Sequence, residues 1–169
     1  GLSVQDGDSL LSVGYVTHVD GVTDATLFSD PATRDEKHAH LVFVDQSSVA
    51  SRSVLGTLFV LTFRGTTTLH WQTAPSSDFA NPPSFSAGRT VGTFRTRVHD
   101  VVNAVAPNSG IATAVEQLVQ TRAGIVPLPG RPGRFGRVGV RMRLHSTGAA
   151  TRTSIDPVRH SSANSRIVR

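Results

Sequence analysis

The stretch Thr90-Val91-Gly92-Thr93-Phe94-Arg95-Thr96-Arg97-Val98-His99 decides the fold. Gly92, Phe94, Thr96 and Val98 fall on one side of a two-residue repeat, and Val91, Thr93, Arg95, Arg97 and His99 fall on the other. Successive side chains of an extended chain point to opposite faces, so the pattern predicts a strand whose second face is basic. The alternation runs on to Ala104, and Ala106-Pro107-Asn108-Ser109-Gly110 then forms a strong turn.

The same period recurs on both sides. Downstream, Ala112, Ala114, Glu116, Gln117 and Leu118 would suit a helix, but the alternation of Ile111, Thr113, Val115, Gln117 and Val119 favours a strand from Ile111 to Arg122. The Pro/Gly cluster from Pro127 to Gly133 interrupts the chain. Val138, Val140, Met142 and Leu144 then alternate with Arg137, Gly139, Arg141, Arg143 and His145 in the clearest strand of the sequence. Upstream, residues 73–89 carry Pro75, Pro82, Pro83 and Gly88 and predict a long loop, a feature that is uncommon and often functional. Ser53 to Gln72 reads as one long bent strand or two, with Arg64-Gly65 as a turn or bulge. His38 to Asp45 reads as a strand covered on both faces, closed by a turn at Gln46-Ser47-Ser48. Asp20 to Lys37 is turn-rich, and Leu11, Val13 and Tyr15 mark the first strand.

Seven or eight strands without a convincing helix predict an all-β chain, a single antiparallel β-barrel with a β-sandwich as the alternative. Closure into a barrel removes the exposed edges that such long strands would otherwise present. The barrel is expected over residues 1–148, followed by a basic, Arg- and Ser-rich arm over 149–169 lying on the surface.

Composition narrows the function classes. With 38% apolar and 17% charged residues in 169, the chain is globular and long enough to bury about two-thirds of its unfolded surface. No run approaches the ~18 apolar residues that a membrane-spanning helix needs, so no membrane span is expected. The absence of Cys removes disulfides, thiolate nucleophiles and Cys-based metal centres. No leader is visible at Gly1-Leu2-Ser3-Val4-Gln5, and the expectation is a soluble protein, either cytoplasmic or secreted after loss of a leader. Charge is divided unevenly: residues 1–100 hold seven Lys and Arg against ten Asp and Glu, and residues 101–169 hold ten against two.

Several residues could carry chemistry. His38 and His40 on one strand face would stand about 7 Å apart, a metal-pair spacing that needs a third ligand from His70, His99 or His145. The Gly and Glu spacing of cupin-type sites is missing, and no metal site is expected. His99 and Asp100 are neighbours on opposite faces and so form no dyad. Glu116 and Asp156 are the only acids after Asp100, and Glu116 sits in an apolar segment where burial or Arg would shift its pKa. Arg95, Arg97 and His99, with Arg137, Arg141, Arg143 and His145, would make a basic stripe if their strands adjoin. Such a stripe suits a polyanion, but no aromatic residues interleave it and no nucleic-acid module is present, so nucleic acid is not expected. Gly130 to Gly136 has the wrong spacing for a phosphate loop, and no Gly-x-Ser-x-Gly elbow occurs.

The strand Thr90 to Val98, with its Val-Gly pair, its long preceding loop and the hairpin-linked strands after it, resembles the allene oxide cyclase and dirigent-like barrels. The likeness spans Leu11 to Gly148 as a strand pattern. It implies an eight-stranded barrel, a homo-oligomer, and cyclisation or stereochemical guidance of a mainly apolar substrate without a cofactor. No segment matches that family's catalytic positions, so no site residue carries over.

The resulting expectation is a barrel that holds a small, mostly apolar molecule, as a cofactor-free cyclase or isomerase working by confinement and polar anchoring. His40, His70 and Glu116 are the catalytic candidates. Phe43, Phe59, Trp71, Phe94 and Arg95 are the ligand-binding candidates. The alternative is a non-catalytic module whose basic strand face and tail contact a partner protein or an acidic polymer.

Overall fold

A computed structural model describes residues 1–128, 132–152 and 158–168, the last segment by its backbone path. Seven strands build one curled antiparallel sheet: β1 (Leu2–Asp6), β2 (Ser9–Tyr15), β3 (Leu41–Leu55), β4 (Leu58–Trp71), β5 (Arg89–Ala106), β6 (Ser109–Ala123) and, after the short pair β7 (Ile125–Val126) and β8 (Gly133–Arg134), β9 (Arg141–Thr151). The final strand, β10 (Val158–Val168), pairs with β9 on one side and β1 on the other and closes the sheet into a barrel. The all-β antiparallel architecture expected from the alternation is therefore present. Among the described residues helix is confined to α1 (Asp24–Leu27) and a 3₁₀ turn at Pro82–Ser86.

Three boundaries differ from the sequence reading. Residues 149–169, expected as a surface arm, contain the closing strand, because backbone pairing to two open edges needs no apolar side chains. Residues 129–131 of the Pro/Gly break lie outside the described residues. The expected turn at Gln46-Ser47-Ser48 lies inside β3, opposite Arg64, Gly65 and Thr66 of β4. The reversal comes instead at Gly56-Thr57, where Gly56 has φ +62° and Thr57 has no positive φ, the requirement of a type II′ hairpin. Arg64-Gly65 is accordingly neither turn nor bulge. Gly65 is a close-approach position: a Cβ there would collide with the Gln46 carbonyl oxygen and the Ser47 hydroxyl. The ambiguous segment after Gly110 is strand β6, as its alternation indicated. Strand β9 begins at Arg141, three residues after Val138, which is exposed.

Inward positions form two apolar layers. One, near the β4 end at Trp71, joins Leu41, Leu69, Trp71, Phe94 and Leu118. The other gathers Leu10, Leu61, Phe63 and Val98, with Phe59, Val102 and Ala114 against it. A third apolar group lies outside the barrel, where Phe28, Phe79 and Phe85 cover Val13, Tyr15, Val42 and Val44 of β2 and β3. Buried Gln72 mounts that cover: its Nε2 donates to Ser77 Oγ at 2.9 Å and to the Ser84 carbonyl at 3.0 Å, and its Oε1 accepts from the Ser76 N–H at 3.1 Å. The 73–89 loop is thus an ordered lid on the outer wall of the barrel.

The fold makes one sharp demand at Gly65. Gly65→Ala should lower stability by about 1–3 kcal/mol through overpacking against β3, while Arg64→Ala at the exposed neighbour should stay within about 0.5 kcal/mol. Urea denaturation midpoints of the two variants check this, and equal midpoints would contradict the close approach.

Candidate active site in the barrel lumen

The inner wall also carries polar side chains, between and beside the two apolar layers. Asp45 and Ser47 of β3, Thr67 of β4, Thr96 and Asp100 of β5 and Glu116 of β6 all occupy inward positions in the strand registers. Each gets there by the two-residue period: Asp45 follows Leu41 and Phe43, and Asp100 follows Phe94, Thr96 and Val98.

The three carboxyls are treated differently. Asp45 is held by hydroxyls, with Ser47 Oγ donating to Oδ1 at 2.5 Å and Thr67 Oγ1 donating to Oδ2 at 2.6 Å. Thr96 Oγ1 stands 2.5 Å from Thr67 Oγ1 and completes the network. Burial pushes the Asp45 carboxyl above its ordinary range, and the three hydroxyls oppose that push. Asp100 is only 8% exposed, its Oδ1 has no hydrogen-bond partner among the described residues, and its cross-strand neighbours are Leu61 and Ala114. Burial drives its pKa up to about 6, against a single opposing backbone N–H from Val101. Glu116 is pushed up to about 7, first by burial and then by the negative charges of Asp45 and Asp100.

Asp100 and Glu116 are diagonal neighbours on one face, since Asp100 pairs with Ala114 and Glu116 lies two residues further along β6. Such positions stand about 7–8 Å apart. Around Glu116 the inner wall is only partly buried. Inward-facing Ala114, Glu116, Met142, Leu144 and Ser146 on β6 and β9 keep accessible surface, whereas Phe63, Thr96 and Leu118 on the same inner wall are buried.

The other sequence candidates are dispersed. His40 precedes β3 at the barrel end, stacks on Trp71 with ring centroids 5.2 Å apart, and its Nδ1 lies 2.6 Å from the Gln72 carbonyl oxygen that accepts from it. Together with Ala25, Thr26, Trp71, Thr73 and Pro127 it borders a recess of about 280 Å³. His70 faces outward between Val42 and Thr90, because Trp71 and Leu69 take the inward positions of β4. Its Nδ1 is buried without a partner among the described residues, and burial lowers its pKa. The expected catalytic grouping of His40, His70 and Glu116 is therefore not assembled; Glu116 alone faces the lumen centre.

Of the ligand-binding candidates, Phe43, Phe59, Trp71 and Phe94 are inward, but Phe94 is fully buried against Phe135 and the Phe43 ring lies over Gly14. Arg95 is exposed on the outer face and cannot join Phe94, one position away on a strand. His38 bonds Asp35 at 2.6 Å in the turn before β3, and His99 and His145 point outward on β5 and β9. Among the described residues no three His, Asp or Glu side chains are grouped to hold a metal ion. Asp156 lies outside the described residues. Asp45, Asp100, Ser47, Thr67 and Thr96 were absent from the sequence candidates. A carboxylate falling in the inward register of an apolar alternation was the signal that could have found the first two.

The raised carboxyls fix the sign of a pH effect. Between their ordinary values, 4.5 for Glu116 and 3.8 for Asp100, and their folded values of about 7 and about 6, the folded chain binds more protons than the unfolded one. The contribution of these two carboxyls to stability is then fully present below the ordinary values and is lost as pH rises through about 6 and about 7. Glu116→Gln should flatten that decline, gaining up to about 3 kcal/mol on the native protein between acid and mildly alkaline pH. Denaturation midpoints measured across that range check it; a difference independent of pH would show that Glu116 titrates normally.

Compared with known protein families, with characterised proteins and with solved structures, the chain matches none of them.

Proposed function

We propose that the lumen binds a small, mostly apolar organic molecule and acts on it without a cofactor, as a cyclase or isomerase. The observation that carries this reading is the pair Asp100 and Glu116: inward carboxyls, neither engaged by another side chain among the described residues, whose cross-strand neighbours are the apolar Leu61, Val98, Ala114 and Leu144. The pair lies within reach of a common ligand, and the apolar wall around it receives a hydrocarbon body.

The chemistry follows from the two environments. A carboxyl with pKa about 7 is largely protonated below neutrality, so Glu116 donates a proton to the ligand. Asp100, with pKa about 6, is the more acidic of the two and takes a proton from a neighbouring carbon as carboxylate. One proton in and one out leave the ligand isomerised, with no redox partner required. Asp45, fixed by its hydroxyls, contributes a negative potential that stabilises positive charge developing on carbon. The apolar layers hold the ligand in one shape and keep water from the reactive intermediate. The resemblance to allene oxide cyclase and dirigent-like barrels supports the same reading.

Incubating the protein with a metabolite extract of its source and releasing what it retains for mass spectrometry tests the proposal. Wild type should retain an apolar compound, and Ala114→Phe, which adds bulk to the inner wall next to Glu116, should not. Glu116→Gln should keep the compound but convert it about 10²–10⁴ times more slowly. A lumen that retains nothing, or Ala114→Phe retaining the same compound as wild type, would sink this reading.

A further inference from the structure

The outer faces of β4, β5, β6 and β9 carry a different surface. The stripe expected if the two Arg-bearing strands adjoined is not formed in that way, because β6 lies between β5 and β9, but arginines of β4, β5 and β9 line up across this face. Cross-strand register aligns Arg64, Arg97, Gln117 and Arg143 in one row, and Thr66, Arg95, Val119 and Arg141 in the next. All five arginines are exposed, and none forms an ion pair among the described residues. The only acids on these four strands, Asp100 and Glu116, point into the lumen. Arg64 stands directly opposite Arg97, and like charges in that relation destabilise a sheet. With no carboxylate on the face to relieve it, the repulsion is left for a ligand to neutralise.

The same face becomes apolar toward the hairpin ends. Leu55, Leu58 and Ile111 share a row with Asn103, and Val101 and Val105 lie beside it. Leu55, Val105 and Ile111 are 66%, 60% and 53% exposed. No aromatic residue occupies an outward position among these rows, so base stacking has no platform. Nucleic acids and acidic polysaccharides neutralise arginine but offer nothing to exposed aliphatic side chains. An anionic bilayer offers both, phosphates at the headgroups and an apolar phase just below them.

We propose that the outer face of β4, β5, β6 and β9 docks on an anionic lipid surface, with the Arg64, Arg95, Arg97, Arg141 and Arg143 rows over the phosphates and the Leu55, Leu58 and Ile111 hairpin ends entering the acyl boundary. The convex wall of the barrel suits a flat partner, and docking leaves the lumen and the lid on β2 and β3 untouched.

Cosedimentation with vesicles tests it. The full chain should bind phosphatidylcholine–phosphatidylglycerol vesicles, spare pure phosphatidylcholine, and weaken as salt rises. Replacing both Arg97 and Arg143 by Gln should weaken binding about tenfold or more, since each arginine near the surface contributes a several-fold factor. Leu58→Ser with Ile111→Ser should remove the part of binding that salt leaves behind, and Arg34→Gln on the opposite side should change nothing. Absence of vesicle binding at low salt overturns the proposal. So does heparin or duplex DNA binding at least as tight as vesicle binding that ignores the Leu58 and Ile111 changes, which would assign the face to a polymer. So does an oligomer that those changes dissociate while vesicle binding persists, which would assign the hairpin ends to self-association. If a variant fails to fold by circular dichroism, the lipid and salt series on the native chain still decides.

Discussion

Closing an antiparallel sheet on itself divides every strand residue between an inside and an outside, and most of this molecule's chemistry follows from that division. β10 joins the β9 edge to the β1 edge, so no long edge is left unpaired and the interior is set apart from bulk water. A carboxyl on the inner wall then loses hydration, which is the first cause of the raised pKa at Asp45, Asp100 and Glu116 alike. On an open, solvated sheet the same residues would titrate as ordinary surface acids.

The three carboxyls show how a barrel can either compensate burial or leave it standing. Asp45 recovers hydrogen bonds from hydroxyls on its own strand and the next two, so its oxygens are satisfied and its position fixed. Asp100 recovers a backbone N–H only, and an oxygen left unpaired in this way costs about 1–3 kcal/mol. A Ser or Thr opposite it, in place of Leu61 or Ala114, would supply the missing donor without altering the strand period. Polar groups held below their most stable arrangement are found at sites where protons move, because a fully satisfied carboxyl has little reason to exchange one.

Most of the fold was legible because one periodicity dominates it. The alternation of β5 and β6 gave the strands, the hairpin at Pro107-Asn108 and the correct facing of Phe94, Thr96 and Val98 against Arg95 and Arg97. What the sequence hid were features set by pairing rather than by side-chain type. Gln46-Ser47-Ser48 has the composition of a turn, yet it is held in β3 by the ladder to β4, and Ser47 has a buried task in binding Asp45. The C-terminal segment has the composition of a solvated tail, yet its backbone satisfies two edges. The site was legible at Glu116 alone. His40 and His70 drew notice as imidazoles, but the register of β4 turns His70 outward and the turn stabilised by Asp35 leaves His40 at the barrel end. Asp45 and Asp100 were readable in principle, since each continues an inward apolar alternation.

The charges of the central strands are sorted by face. β5 places Arg95, Arg97 and His99 outward and Asp100 inward, and β6 places Glu116 inward between outward Val115 and Gln117. A slip of one residue in either strand would exchange its faces and bring its acid to the surface, and in β5 it would also carry Arg95 and Arg97 into the apolar layers. Burying a guanidinium beside Phe63 is far costlier than the native arrangement, so the outer arginines of β5 help to hold Asp100 in register even where they touch nothing. The bulges between Thr93 and Phe94 and between Leu69 and His70 sit at the Trp71 end of these strands, away from the Asp100 and Glu116 positions. The ladder is therefore uninterrupted where the two charge sets lie back to back, and any ligand of the outer face and any ligand of the lumen would be reading opposite sides of the same registered strands.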